Sequence, residues 1–278
     1  MTLHRPESLE DALALLGQGG ARLLAGGTDL YPALRDGPPP PALIDLTGVP
    51  DLQGIRRDAS GWRIGGAVTW RQILRAELPP LFAGLKAAAR EVGSVQIQST
   101  GTVAGNLCNA SPAADGVPAL LALEAEVALA GPEGPRRLPL AEFLLGPRRT
   151  ALCEGEIVTA LHVPDRAGTG GFGKLGARRY LVISIAMVGV VVDWQQGRIA
   201  AARVAVGACS PVAVRLGALE AALVGQRATD LRAVVAAAPL PELAPIDDVR
   251  ASADYRRDAV RPLIHDTLHK TLEVSHVA

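Results

Sequence analysis

The chain has 278 residues, with 28 Lys and Arg balanced by 28 Asp and Glu, and only 3% of it is aromatic. That length predicts two or three sub-domains with cores of their own, and the scarcity of aromatics makes those cores aliphatic. The zero net charge speaks against nucleic-acid binding, which draws its affinity from a clustered basic excess.

In chain order, Ser8 is placed to cap a helix over "LEDALALLGQGG", which ends at its glycines. "ARLLAGG" then reads as a buried strand, "DLYPALRDG" as a helix and, after "PPPP", "ALIDLTG" as a second strand. This β–helix–β order over the first ~50 residues predicts a small parallel unit. "GWRIGGAVTW" reads as a strand entering a helix capped by Thr69, and "LFAGLKAAAREVG" is a helix by propensity. "STGTVAGNLCNASPAADG" reads as a polar, glycine-rich stretch too long for an ordinary connection. Ser111 and Pro112 follow as cap and first residue of a helix, "PAADGVPALLAL". "EAEVALAGPEGPRRLPL" is a hairpin turning at "GPEG", and "EIVTALHVP" is a strand. Beyond Gly168 come a strand "GGFGKLG", a hairpin turning at "QQGR", and amphipathic helices over "VAVRLGALEAALVG" and "DYRRDAVRPLIHDTLHKTLE".

Cys108, Cys153 and Cys209 are widely spaced and form no metal or iron–sulfur motif. Their odd number fits reduced thiols in a cytoplasm. The charged start "MTLHRPESLEDALALL" does not read as a signal peptide, and no run approaches the ~18 apolar residues of a membrane span. The expectation is therefore a soluble, cytoplasmic protein. His265 and His269 stand i,i+4 near the end of the chain, where a solvated helix face outweighs metal binding for want of further ligands. No catalytic acid/base pair can be assigned, so a ligand site has to rest on backbone loops.

Two loops qualify. In "AGGTD", Ala25 to Asp29, a strand ends in glycines before a helix, a geometry that aims several N–H groups at an anion. The plain alternative is a turn closed by a Thr28 or Asp29 cap. In "STGTVAGN" and the "NASPAAD" that follows, Thr100, Thr102, Gly101, Gly105, Asn106 and Asp115 offer hydroxyls, bare backbone, an amide and a carboxylate. Such a set suits a polyol or pyrophosphate better than a metal, and Asp115 could accept from vicinal hydroxyls. The plain alternative there is a helix cap at Ser111 and a solvated Asp115.

"LLAGGTDLYPALRDG", "IGGAVTWRQIL", "REVGSVQIQSTGTVAGNLCNASPAADGVPALLAL", "EIVTALHVP", "FGKLGARR" and "ASADYRR" occur in this order from end to end. Together they resemble the FAD-binding medium subunit of the molybdenum hydroxylases, the xanthine dehydrogenase and carbon monoxide dehydrogenase family. The resemblance implies an α+β fold. A two-lobed, vanillyl-alcohol-oxidase-like (PCMH-type) FAD-binding domain, with lobes over 1–55 and 56–167, precedes a small α+β C-terminal domain over 168–278.

It also implies that Ala25, Gly26, Gly27, Thr28 and Asp29 wrap the FAD pyrophosphate. Thr100, Gly101, Gly105, Asn106, Ser111 and Asp115 would form the second FAD loop, with Asp115 near ribityl or ribose hydroxyls. Val158 would meet the flavin ring through its backbone, and Lys174 would lie close to the isoalloxazine. Two departures stand out: Ala104 replaces a glycine common before the asparagine, and "YLVISIA" follows "GARR" where many relatives carry an acidic residue.

The implied function is electron relay within an oxidoreductase. A molybdenum cofactor on a large subunit and [2Fe–2S] clusters on a small subunit would feed FAD on this chain, in a dimer of heterotrimers. FAD would then reduce NAD, oxygen or a quinone. The alternatives are a self-contained FAD oxidoreductase of the same fold and a flavin-free scaffold subunit.

Overall fold

The computed structural model describes residues 1–34 and 37–275. Arg35 and Asp36, at the end of the helix predicted over "DLYPALRDG", lie outside the described residues, as does His276.

The first strands and helices are β1 (Thr2–His4), α1 (Leu9–Gly17), β2 (Ala21–Leu24), α2 (Leu30–Ala33), β3 (Ala42–Asp45), β4 (Ile55–Asp58) and β5 (Gly61–Gly65). Next come α3 (Trp70–Arg75), α4 (Ala83–Glu91), α5 (Val95–Thr100), α6 (Val103–Asn109) and α7 (Gly116–Ala122). The chain continues with β6 (Glu126–Gly131), β7 (Gly134–Pro139), α8 (Leu140–Phe143), β8 (Leu144–Gly146), β9 (Arg149–Thr150) and β10 (Ile157–Val163). It closes with β11 (Thr169–Leu175), β12 (Ala186–Gln195), β13 (Arg198–Gly207), β14 (Val214–Arg215), α9 (Gly217–Leu223), α10 (Leu231–Ala237) and α11 (Ala253–Ser275).

These elements gather into two compact units, each made of several chain segments. One comprises 1–76, 94–109 and 125–165; the other comprises 77–93, 110–124 and 166–278. The three-region reading of the sequence follows chain order, whereas this division follows packing.

In the first unit, β1, β3 and β2 form a parallel sheet in that order, as the β–helix–β reading expects, with β1 as an additional edge strand. Ser8 caps α1 by accepting from the Asp11 amide at 3.0 Å. Ala12 of α1 packs in a core with Ile44, Leu46, Val49 and Leu52, because the apolar side chains of α1 recur at helical spacing. A second, antiparallel sheet runs β4-β5-β10-β6-β7 and contains the predicted hairpin. Thr69 caps α3 in a reciprocal capping box with Gln72.

In the second unit, β11-β12-β13-β14 form an antiparallel sheet. The hairpin between β12 and β13 turns at Gln196 and Gly197, whose φ values of 50° and 76° match the primed turn that suits strand twist. One face of the sheet buries Val188, Val190, Val204 and Val206 with Leu219, Ile264 and Leu268 from the helices.

The glycines of β11 exist for close approach. A Cβ on Gly170 would lie 2.4 Å from the Leu81 carbonyl oxygen, and one on Gly171 would lie 1.9 Å from Thr271 Oγ1. Gly189 of β12 brings its backbone equally near Pro118 in α7. Glu124, just after α7, accepts from Arg166, from Arg203 Nε at 2.7 Å and from Arg215 Nη1 at 2.9 Å. The segment 110–124 is thereby held to the second unit's sheet.

Three sequence expectations change. The glycine-rich stretch after residue 94 is largely helical, as α5 and α6. The helix expected from Pro112 starts at Gly116, because Pro118, which lacks an N–H, is tolerated only in a first turn. Ser111 instead accepts from the Ala113 amide at 3.3 Å in a separate turn. The helix expected over "VAVRLGALEAALVG" is shortened, since Val214 and Arg215 pair with β13.

Candidate functional site

The first unit brings the two glycine-bearing segments together backbone to backbone. Gly26 faces Thr100 and Gly101 so closely that a Cβ on it would lie 2.0 Å from the Thr100 carbonyl oxygen and 2.8 Å from Gly101 Cα. Gly27 has a φ of 69°, a left-handed conformation in which a Cβ would also strike the Tyr31 ring at 2.5 Å. The first glycine is thus dictated by the neighbouring segment and the second by the turn. Ala25 precedes them at the end of β2.

Among the described residues, no protein group accepts from the amides of Gly26, Gly27, Thr28 or Asp29. Gly26, Gly27 and Thr28 are half-buried and Asp29 is exposed; the four stand at a strand-to-helix junction, the arrangement in which successive N–H groups collect an anion. Asp29 stands at the N-terminus of α2 but makes no side-chain cap; its Oδ1 accepts from Asn109 Nδ2 at 2.7 Å. Asn109 in turn accepts from Arg148, which sits at a φ of 59° between β8 and β9. Asn109 and Arg148 are absent from the sequence-predicted site residues; Asn109 opens the quoted "NASPAAD", whereas Arg148 lies in none of the quoted motifs.

The link Gly101–Thr102 is stitched to the start of α3: Trp70 N donates to Gly101 O at 3.2 Å, and Val103 N donates to Val68 O at 2.9 Å. Thr102, 3% exposed, caps α6 by accepting from the Gly105 amide at 3.0 Å. A side chain at residue 105 would meet that same oxygen at 2.7 Å, so Gly105 serves the cap. On the next position, Asn106 Oδ1 is buried with no protein partner among the described residues. A buried acceptor left unpaired costs about 1–3 kcal/mol. Val158 lies beside a β-bulge at Thr159, with its carbonyl oxygen 2.3 Å from where a Cβ on Gly66 would be.

Ser111, Asp115 and Lys174 belong to the second unit. Lys174 Nζ donates to Asp115 Oδ2 at 2.8 Å and to the Glu91 carbonyl at 3.4 Å. Ser184 Oγ donates to Asp115 Oδ1 at 2.6 Å. The lysine and aspartate side chains are 8% and 11% exposed, so neither is a solvated surface group. Burial pushes the Asp115 carboxyl above the usual carboxylate range, opposed by the Lys174 charge and by the hydrogen bonds from Lys174 and Ser184. Asp115 and Lys174, expected at different ends of one ligand, are joined in one buried ion pair. Ser111 makes only its local turn and does not join them.

The sequence matches the family model described as "FAD binding domain in molybdopterin dehydrogenase" over residues 1–166, and that of the "CO dehydrogenase flavoprotein C-terminal domain" over 173–271. The chain belongs to the FAD-binding medium subunits of the molybdenum hydroxylases. Its cofactor is FAD, and it is an oxidoreductase subunit.

Its similarity to the carbon monoxide dehydrogenase medium chain of Hydrogenophaga pseudoflava is 33% identity, over 91% of this chain and 90% of that one. To the nicotine 6-hydroxylase medium subunit of Paenarthrobacter nicotinovorans it is 32%, over 95% and 94%. A solved structure of the Hydrogenophaga pseudoflava carbon monoxide dehydrogenase, lacking the Mo-pyranopterin moiety, superposes with a TM-score of 0.87. That match has 32% identity and covers 98% of this chain and 97% of that chain. The α+β fold expected from the sequence is thus the fold found. The flavoprotein relatives are medium subunits of multi-subunit complexes. Among the described residues of this subunit, no helix is long and apolar enough to cross a membrane.

Proposed function

We propose that this subunit relays electrons through FAD from [2Fe–2S] clusters on a small partner subunit to a final acceptor. The substrate is oxidised at a molybdenum cofactor on a large partner. Bound FAD supplies a centre that takes electrons singly and gives them up in pairs. Membership of the medium-subunit family supports the relay. The observation that carries the placement of FAD is the row of unpaired amides at Gly26–Asp29 beside the buried, unpartnered Asn106 acceptor.

In this reading Ala25, Gly26, Gly27, Thr28 and Asp29 bind the pyrophosphate, whose charge suits a ring of N–H donors. The Thr28 hydroxyl adds a donor, and Thr100, Gly101 and Gly105 form the facing wall. Asn106 accepts from a cofactor hydroxyl or amine. Asn109 holds Asp29 and so keeps the first loop in place. Val158 lends backbone to the flavin ring. Lys174, a cation held in a nearly dry setting, lies near the isoalloxazine and stabilises negative charge on it. Asp115 acts through Lys174, with Ser111 completing the turn before it. The assembly is a dimer of heterotrimers in the cytoplasm.

The test has two arms. The purified full chain is titrated with FAD, alone and as Gly27→Val, which forces a β-branched side chain into the left-handed region. The variant is expected to bind at least tenfold more weakly, about 1.4 kcal/mol; wild-type affinity would reduce the loop to a turn. In the second arm, the FAD-loaded chain is mixed anaerobically with a reduced [2Fe–2S] partner subunit. Rapid bleaching of the flavin absorbance is expected, and an unchanged spectrum would remove the relay.

A further inference from the structure

We propose that Asp115 is the counter-charge that sets how strongly Lys174 acts on the flavin, and that Ser184 is the positioning residue holding Asp115 in that role. The inference rests on the reading that Lys174 lies at the flavin. It goes beyond that reading by assigning a function to a serine that belongs to no FAD loop.

The geometry leaves little freedom to the carboxylate. One oxygen is taken by Lys174 Nζ at 2.8 Å and the other by Ser184 Oγ at 2.6 Å. Ser184 is 1% exposed, so its hydroxyl has no water to turn to. It lies just before β12, and the adjoining Ile185 amide donates to Leu175 O at 2.8 Å, one residue from Lys174. The donor to the carboxylate and the cation beside it are therefore held on adjoining stretches of backbone. Lys174 spends two of its three N–H donors on Asp115 and the Glu91 carbonyl.

Opposite charges this close act on a third group as a dipole, whose potential falls off faster with distance than that of a lone cation. In a poorly solvated setting that difference is large, because little solvent screens either charge. A flavin beside the intact pair feels a muted cation. Neutralising the carboxylate unmasks Lys174 and favours the reduced flavin. Removing both charges returns the site close to its original balance.

The experiment is redox titration of the flavin in the full chain reconstituted with FAD, for Asp115→Asn, Lys174→Met, the double variant and Ser184→Ala. The expected result is a raised midpoint potential in Asp115→Asn and a lower one in Lys174→Met. The double variant should lie nearer wild type than either. Ser184→Ala should shift the potential in the same direction as Asp115→Asn but less, with the wild-type value restored in Ser184→Thr.

If Lys174→Met lowers the potential while Asp115→Asn matches wild type, Lys174 acts alone and the counter-charge proposal is overturned, though the flavin-site reading stands. If no variant moves the potential, the placement of Lys174 at the flavin fails, and the proposal with it. Should Asp115→Asn not fold, Ser184→Ala carries the decision, and a wild-type potential there overturns the proposal.

Discussion

The two units contribute opposite kinds of chemistry. The first presents backbone: glycines packed against another backbone and, among the described residues, amides with no protein partner and a buried side-chain acceptor left open. The second presents side-chain charge that is already satisfied, a buried lysine and aspartate joined to a serine. An open donor row recognises whatever arrives with the complementary charge, whereas a closed ion pair contributes a fixed field. In the proposed reading, binding rests on the first unit and tuning on the second, and perturbing one should leave the other's property largely untouched.

The hardest test of that separation is Asp115→Ala, which strands the Lys174 ammonium in a buried place. Removing one partner of such a pair costs about 3–5 kcal/mol. Urea unfolding of the variant should show that loss, and the double variant Asp115→Leu/Lys174→Met should recover most of it. In the first unit, Gly26→Ala puts a Cβ 2.0 Å from a backbone oxygen, so a strand end or α5 has to shift. Overpacking of this kind costs roughly 1–3 kcal/mol, with FAD affinity falling alongside stability.

Asn106→Leu sharpens the contrast, because it separates binding from folding. Replacing an unpartnered acceptor should leave the FAD-free chain as stable as wild type or better, while FAD affinity drops about tenfold, roughly 1.4 kcal/mol. An equal loss of stability without FAD would mean that the amide serves the fold.

The smallest effect concerns acid. Asp248 is pushed down to about 2: burial opposes its ionisation, but the Arg250 and Ala251 amides and the Arg250 and Arg256 side chains outweigh it. Its folded-state value is depressed, so its contribution is fully present above the ordinary Asp range and is lost as pH falls from about 4 toward 2. Asp248→Asn should therefore be less stable than wild type at pH 6, and the gap should close near pH 2.

Elements with local punctuation were legible in the sequence. Ser8 and Thr69 cap where expected, and the hairpins turn at Pro132–Glu133 and Gln196–Gly197. The glycines at 26, 27, 101 and 105 are visible in the sequence as written, and the first two do stand at a strand-to-helix turn, but the second stretch folds largely as helix. The helices α5 and α6 were missed, although each carries a cap signal, Ser94 and Thr102, because glycine and β-branched residues around them argue for loop. The pairing of Lys174 with Asp115 spans 59 positions and that of Ser184 spans 69. No periodicity reaches that far; only the folded sheet brings them together. Nor does spacing tell that Gly26 answers to the backbone of Thr100, a contact made by tertiary packing alone.

The interleaving of the units also sets an order of events during synthesis. All of the first unit has been made once residue 165 is joined, but the second begins at 77–93 and awaits β11 and β12 about a hundred residues later. At about 5–20 residues per second, Leu81, Phe82 and Leu85 spend roughly 5–20 s without the strands that cover them. A chain stopped near 166, at the gap between the two matched family regions, keeps those apolar side chains and never receives their sheet. The natural place to divide this molecule is therefore not where its sequence families meet, and a ribosome that stalls there releases a chain prepared to aggregate.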